Sequence, residues 1–247
     1  MSEPQIQLLD DARSLYVCAA EEIAHIAGEA ICTHGEFRLC LAGGSTPAAT
    51  YELLATRFNH SIDWSEVQLF WGDERCVPPE DPASNFAMVR RTLLALLTLR
   101  SDQVHRISGE LAPAEGAALY ERELKGAFAL GAGEFPRFDL ILLGLGENRH
   151  TASLFPASPA IHDTQHLAVA VEVDAEQRSR ITITPAVINS AQRVMFLVAG
   201  ESKAAAVRDV ISGPRDPDRC PAQIVAPTNG EVVWLLDRAA AKLLPER

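Results

Sequence analysis

The stretch Phe138-Asp139-Leu140-Ile141-Leu142-Leu143-Gly144-Leu145-Gly146-Glu147-Asn148-Arg149-His150-Thr151-Ala152-Ser153 decides the fold. Leu140 to Leu143 is an unbroken apolar run with no polar alternation. A strand covered on both faces has this pattern, and such strands belong to parallel sheets. A buried helix shares it, but the run is short and two glycines follow. Gly144 and Gly146 let the backbone turn sharply and approach a ligand closely. A polar knot, Glu147 to His150, comes next. In open α/β sheets the ligand crevice lies just past the carboxyl ends of the strands. Position alone does not separate a functional His150 from a loop histidine bonded to a backbone carbonyl.

Outward from this stretch, strand and helix patterns alternate. Ile6 to Leu9 reads as an edge strand and Asp10 or Asp11 as a cap. Leu15, Ala19, Ile23, Ile26 and Ala30 form a helical stripe that His34-Gly35 stops. Phe37 to Ala42 reads as a strand, followed by Gly43-Gly44-Ser45-Thr46-Pro47, with Ser45 or Thr46 as the cap of the next helix. Val67 to Trp71 is a strand ending in the polar loop Gly72-Asp73-Glu74-Arg75. Ser84 caps a helix carrying Phe86, Val89, Leu93 and Leu96. Another helix carries Ala117, Tyr120, Leu124 and Phe128. Leu167 to Val173 and Arg180 to Thr184 are β-prone, and Pro185 opens a helical turn. Val194 to Ala199 is a second continuous apolar strand, followed by Gly200-Glu201-Ser202-Lys203 and a helix. Val232 to Leu236 and Arg238 to Leu244 end the chain as strand and helix. Strands separated by helices predict an α/β fold: an open, mostly parallel sheet with helices on both faces. No linker divides the sequence, so residues 1–247 are expected to form a single domain.

Hydrophobic residues make up 47% of the 247 and charged residues 22%, which supports a large core and excludes global disorder. The net charge of −11 argues against nucleic acid or an anionic membrane as partner. An anionic small molecule stays compatible, because a few local cations decide that. Cys18, Cys32, Cys40, Cys76 and Cys220 are scattered and form no Cys-x-x-Cys pair, as expected of reduced thiols. Met1 to Asp11 is acidic and lacks an apolar run of signal-peptide length, and no stretch approaches a membrane span. A cytoplasmic protein, monomeric or homodimeric, is the expectation.

Four polar loops follow buried strands: Gly43 to Thr46, Gly72 to Arg75, Gly144 to His150 and Gly200 to Lys203. Parallel strands bring them to one sheet edge. Taken singly, the Gly-Gly pair can be a mere turn, and Arg75 and Lys203 ordinary surface cations. Together they suit a phosphorylated substrate. Glycine-rich loops opening helices offer backbone N–H groups, Ser45 and Thr46 offer hydroxyls, and Arg75, Lys203 and Arg180 offer charge. His150 is the natural general base, with an ordinary pKa near neutral pH. Competing patterns are weaker. Gly144-x-Gly146-x-x-Arg149 lacks the third glycine of a dinucleotide fingerprint, and Ser153 lacks a Gly-x-Ser-x-Gly elbow. His162 and His166 have a helical ligand spacing, but no His-Glu-x-x-His surrounds them.

The combined motifs resemble the 6-phosphogluconolactonases along nearly the whole chain. The resemblance rests on Ala42 to Pro47, Trp71 to Pro78, Ser84-Asn85, Gly144 to Pro156 and Arg180-Ile181-Thr182. It implies a modified Rossmann-like sheet, similar to that of glucosamine-6-phosphate deaminase. It implies a carboxylic ester hydrolase acting on 6-phospho-D-glucono-1,5-lactone in the pentose phosphate pathway, without metal or organic cofactor. His150 then resembles the water-activating base, and Arg75 and Lys203 the phosphate clamp, assisted by the Gly43 to Thr46 loop. Arg180 would hold substrate oxygens. Asp73, Gly144, Gly146 and Arg149 join the expected binding set, and N–H groups near Gly144 to Gly146 are candidates for an oxyanion site.

The family pattern reads Gly-x-Gly-x-Asp-Gly-His; here Asn148 and Arg149 replace Asp-Gly. Arg149 is expected to bear strain if φ is positive there and, as a cation beside the base, to favour the neutral imidazole. Two rival readings remain. A glucosamine-6-phosphate deaminase would use Asp73 for proton transfer, but its acidic residue after the histidine is missing before Leu154-Phe155-Pro156. A non-catalytic sugar-phosphate sensor draws its support from the altered Asn148-Arg149 pair.

Overall fold

A computed structural model describes residues 4–173 and 178–245. Residues 1–3, the start of the acidic amino-terminal stretch, lie outside the described residues. β1 (Gln5–Leu9) leads into α1 (Ala12–His34), and β2 (Phe37–Leu41) into α2 (Ser45–Thr56). β3 (Val67–Trp71) continues past Gly72 into β4 (Asp73–Arg75). α3 (Asn85–Thr92), β5 (Val104–His105) and α4 (Pro113–Ala127) precede β6 (Leu140–Leu143). β7 (Ala168–Val171), β8 (Arg180–Ile183) and α5 (Pro185–Asn189) follow. β9 (Arg193–Val198), α6 (Ala204–Ile211), β10 (Glu231–Asp237) and α7 (Arg238–Ala241) complete the order.

Seven strands form one parallel sheet in the order β1-β10-β9-β6-β2-β3-β5. All four residues of β6 are buried, as its unbroken apolar run requires. β2 connects rightward in this order to β3, whereas β6 connects leftward to β9. Since crossovers are right-handed, the direction reverses between β2 and β6, and their helices take opposite faces. α1 and α2 pack together on one of these faces. The loops after β2 and β6 therefore flank the topological switch point, where open α/β sheets place their ligands.

Local chemistry sets the element ends. Asp11 caps α1 by accepting the Ser14 N–H at 2.7 Å, and Gly35, at φ 89°, closes it. Ser84 caps α3 by accepting from the Ala87 N–H. The cap of α2 differs from the sequence expectation. It is Gly44, at φ 104°, so Ser45 and Thr46 lie inside the helix. The stretch Asp73 to Arg75 also differs, being a strand rather than a loop. It pairs antiparallel with β8 in a second sheet, β4-β8-β7. α7 ends at Ala241, short of the expected Leu244.

Two tyrosines pin the ends of the central strands. Tyr51 Oη, from α2, accepts the Ala42 N–H at 2.9 Å and donates to the Ala42 carbonyl at 3.0 Å. Tyr120 Oη, from α4, does the same for Trp71 at 2.9 and 2.8 Å. Each phenol satisfies both peptide groups where a strand stops pairing and a functional loop begins.

Candidate active site

A cleft of about 300 Å³ opens at the carboxyl ends of β2, β6 and β9. Its walls include Gly43 to Thr46, Gly72, Asp73, Arg75, Gly144, Gly146, His150 and Lys203, so all four predicted stretches meet in one cavity, one of them as β4. The glycines answer specific steric demands. A Cβ on Gly43 would fall 2.1 Å from Asn85 Oδ1, and one on Gly146 would fall 2.1 Å from His150 Nδ1. With Gly44 as cap, no side chain covers the amino end of α2. Its first N–H groups are left for a ligand, and the helix dipole favours an anion there.

The acids at the end of β3 divide their work. Asp73 lines the cleft and is held by the Ser153 hydroxyl at 2.6 Å and by Asn85 Nδ2 at 3.1 Å. Glu74 points away from the cleft and is almost fully buried. It accepts from Ser84 Oγ and from the N–H groups of Arg75, Asn85 and Phe86. Burial pushes its carboxyl up, and these donors oppose the rise. Glu74 thereby locks the amino end of α3 against β4.

Three cations gather here, and among the described residues none has a carboxylate in ion-pair contact. Among the described residues Lys203 has no ion-pair partner, and the Arg75 guanidinium donates only to the Ala83 carbonyl, through Nη1. Arg180 stands opposite Arg75 in the β4–β8 ladder, although it is not part of the cleft wall. Nε of both arginines is buried and unpartnered. Burial and the facing Arg75 push Arg180 down. Like charges directly opposite in a ladder repel, so this end of the small sheet is primed for an anion.

His150 is half-buried, its ring 4.7 Å from Phe155. Nδ1 lies 2.5 Å from Asn148 Oδ1. An amide oxygen demands a donor, so Nδ1 carries the proton and Nε2 keeps the lone pair. Burial lowers the His150 pKa, Lys203, Arg180 and Arg75 lower it further, and Asp73 opposes them. The imidazole is therefore neutral at pH 7 and able to accept a proton.

Residues 10–234 match the family described as glucosamine-6-phosphate isomerases/6-phosphogluconolactonase. The chain belongs to that family. A Synechocystis protein named 6-phosphogluconolactonase is 38% identical over 242 residues, covering 98% of each chain. A solved 6-phosphogluconolactonase from Trypanosoma cruzi superposes with a TM-score of 0.87 at 27% identity, covering 100% of this chain and 99% of that one. A monomeric glucosamine-6-phosphate deaminase shares the fold, with a TM-score of 0.79 at 22% identity over 97% and 99% of the two chains.

Within this glucosamine-6-phosphate isomerase/6-phosphogluconolactonase frame, Arg149 departs from its expected place. It does sit at positive φ, 68°. Its guanidinium, however, turns away from the cleft to Asp209 on α6, and it is not among the groups acting on His150. The lowered imidazole pKa comes from burial and from Lys203, Arg180 and Arg75 instead. The Gly146 N–H is also committed, donating to the His150 carbonyl at 2.9 Å, so it is closed to an oxyanion. Asn85 and Ser153, which fix Asp73, were absent from the predicted set; their side-chain contacts span 12 and 80 residues. His162 and His166 do not converge. Each bonds an aspartate, Asp218 and Asp163, and among the described residues no three His, Cys, Asp or Glu side chains gather for a metal.

Proposed function

We propose that this protein hydrolyses 6-phospho-D-glucono-1,5-lactone to 6-phospho-D-gluconate, as a single-domain cytoplasmic enzyme of the pentose phosphate pathway. The observation that carries the reading is the meeting, in one cleft, of His150, its pKa lowered by burial, with Arg75 and Lys203, neither paired with a carboxylate among the described residues. The near full-length relatives named 6-phosphogluconolactonase support the choice of substrate. No helix among the described residues is long and apolar enough to cross a membrane.

The substrate phosphate is close to a dianion at neutral pH. In this reading it docks at the uncovered amino end of α2, against Ser45 and Thr46, and is neutralised by Arg75 and Lys203, with Arg180 adding to the local field. The phosphate anchors one end of the sugar and so presents C1 to His150, the entropic part of the catalysis. Nε2 takes a proton from water as its oxygen bonds to C1. The tetrahedral oxyanion then collapses, the bond from C1 to the ring oxygen breaks, and the proton passes from the imidazolium to that oxygen. A general base of this kind contributes about 10²- to 10⁴-fold. Asn148 holds the tautomer, and Asp73, fixed by Ser153 and Asn85, faces the imidazolium as it forms.

The test is lactone consumption, using freshly generated substrate, measured against the spontaneous rate. Wild type is expected to exceed that rate clearly. His150→Ala is expected to lose on the order of 10²- to 10⁴-fold while still binding 6-phosphogluconate. Consumption by wild type at the spontaneous rate, with binding of the sugar acid intact, would leave a sugar-phosphate sensor instead.

A further inference from the structure

Arg149 occupies a left-handed backbone position, φ 68°, that disfavours any side chain. Its place beside His150 therefore needs a compensating contact, and the contact is specific. Nε and Nη2 both donate to Asp209 Oδ2, at 2.9 and 2.5 Å. The Arg149 carbonyl accepts the Ala222 N–H at 3.1 Å, tying the same turn to the segment that follows α6. The other Asp209 oxygen takes Arg208, so the carboxylate is held from both sides.

α6 begins one residue after Lys203. Six residues separate Lys203 from Asp209, about 9 Å of helical rise. The chain of connections closes on itself: cleft, His150, Arg149, Asp209, α6, Lys203, cleft. The base and the ammonium both line the cavity but come from loops after different strands, β6 and β9. Strand pairing fixes where those loops start. It does not fix how far the loop tips lean from each other.

We propose that the Arg149–Asp209 ion pair is a strut setting the distance between His150 and Lys203, which makes Asp209 a positioning residue. Asp209 touches neither cleft nor substrate and acts through Arg149 and the helix. The kinetic arm of the test rests on the lactonase reading above; a second arm does not. Loss of the strut lets the His150 turn lean outward, leaving phosphate capture largely intact while the base loses its aim at C1.

Asp209→Asn is expected to lower kcat on the order of ten- to a hundredfold, with KM within about twofold of wild type, since a displacement near 1 Å costs that much in a positioned reaction. Arg149→Gly, which removes both the cation and the side chain at positive φ, is expected to lower kcat similarly. The double variant should fall no further than Arg149→Gly alone. Arg208→Ala, which strips the other partner of Asp209, should leave kcat unchanged. The independent arm follows the His150 imidazole by NMR in the absence of substrate. Releasing the turn exposes the ring, so its titration midpoint should rise in Asp209→Asn; Asp73, Lys203, Arg180 and Arg75, the charges that face it, stay in place. A His150 resonance and midpoint identical to wild type would overturn the strut, whatever the activity. So would additive losses in the double variant, or an equal loss in Arg208→Ala. A shifted resonance in a protein that consumes no lactone would instead retain the strut and remove the lactonase reading.

Discussion

Asn148 replaces a charge with a dipole at the point where it matters most. Its amide oxygen takes the Nδ1 proton of His150 and orients the ring. A carboxylate in that place would also stabilise the imidazolium and raise the pKa. The amide does not, so burial and the three cations act on His150, with Asp73 against them. The imidazole then stays neutral to lower pH. In Asn148→Asp the acidic limb of kcat/KM is expected to move to higher pH, because the proton must leave a more basic ring before the free enzyme is active. A pH–rate profile of both proteins checks this, and a limb that stays put or moves to lower pH contradicts it. The fate of Arg149 carries the opposite lesson about adjacency. Its neighbour in sequence is His150, yet its charge is committed 60 residues away. Sequence proximity alone does not give the direction of a side chain.

At the scale of elements, the loops that build the cleft are held by the helices behind them. Tyr51 and Tyr120 reach from α2 and α4 to satisfy both peptide groups at the ends of β2 and β3. Both phenols are fully buried, and burial drives the pKa of each well above the ordinary tyrosine value, so they remain neutral donors. Tyr120→Phe leaves the Trp71 N–H and carbonyl buried without a partner. The expected cost is about 2 to 4 kcal/mol, the penalty for two orphaned peptide groups. Urea unfolding should show it as a lowered midpoint with an unchanged slope, and a loss below about 1 kcal/mol would mean that other hydrogen-bond partners fill the gap. Such pairings explain what the sequence could not reveal. β6 was legible from Leu140 to Leu143 alone, because a strand buried on both faces writes its environment into consecutive residues. β4 was not. Asp73 to Arg75 has no apolar period, and its partner β8 lies more than 100 residues on. β5, with two residues, is too short to carry a pattern. The cleft residues were legible because a parallel sheet assembles its loops by rule, whereas their supports, Asn85, Ser153 and Asp209, reach their targets through tertiary contacts that leave no local signal.

The whole molecule sets a negative background against a positive cleft. Its net charge is −11, yet Arg75, Arg180 and Lys203 converge without ion-pair contact to a carboxylate among the described residues, brought from β4, β8 and the turn before α6. Only the fold assembles this local field, and it acts on substrate and base together. In the free enzyme these cations help to depress the His150 pKa. A bound phosphate dianion cancels part of their charge, so the imidazole should become more basic once the substrate is seated. Binding thus strengthens the base at the step where it must hold the proton. The acidic limb of kcat reports the complex and that of kcat/KM reports the free enzyme. In the proposed mechanism activity needs the neutral imidazole, so both limbs rise with pH, and the kcat limb is expected to lie at the higher pH. In Lys203→Ala the free enzyme starts with one depressing charge fewer, so its kcat/KM limb should move up and the separation should narrow. Profiles of kcat and kcat/KM for wild type and Lys203→Ala decide the matter. Coincident limbs in wild type, or a kcat limb at the lower pH, would show that the cations and the base do not share one field.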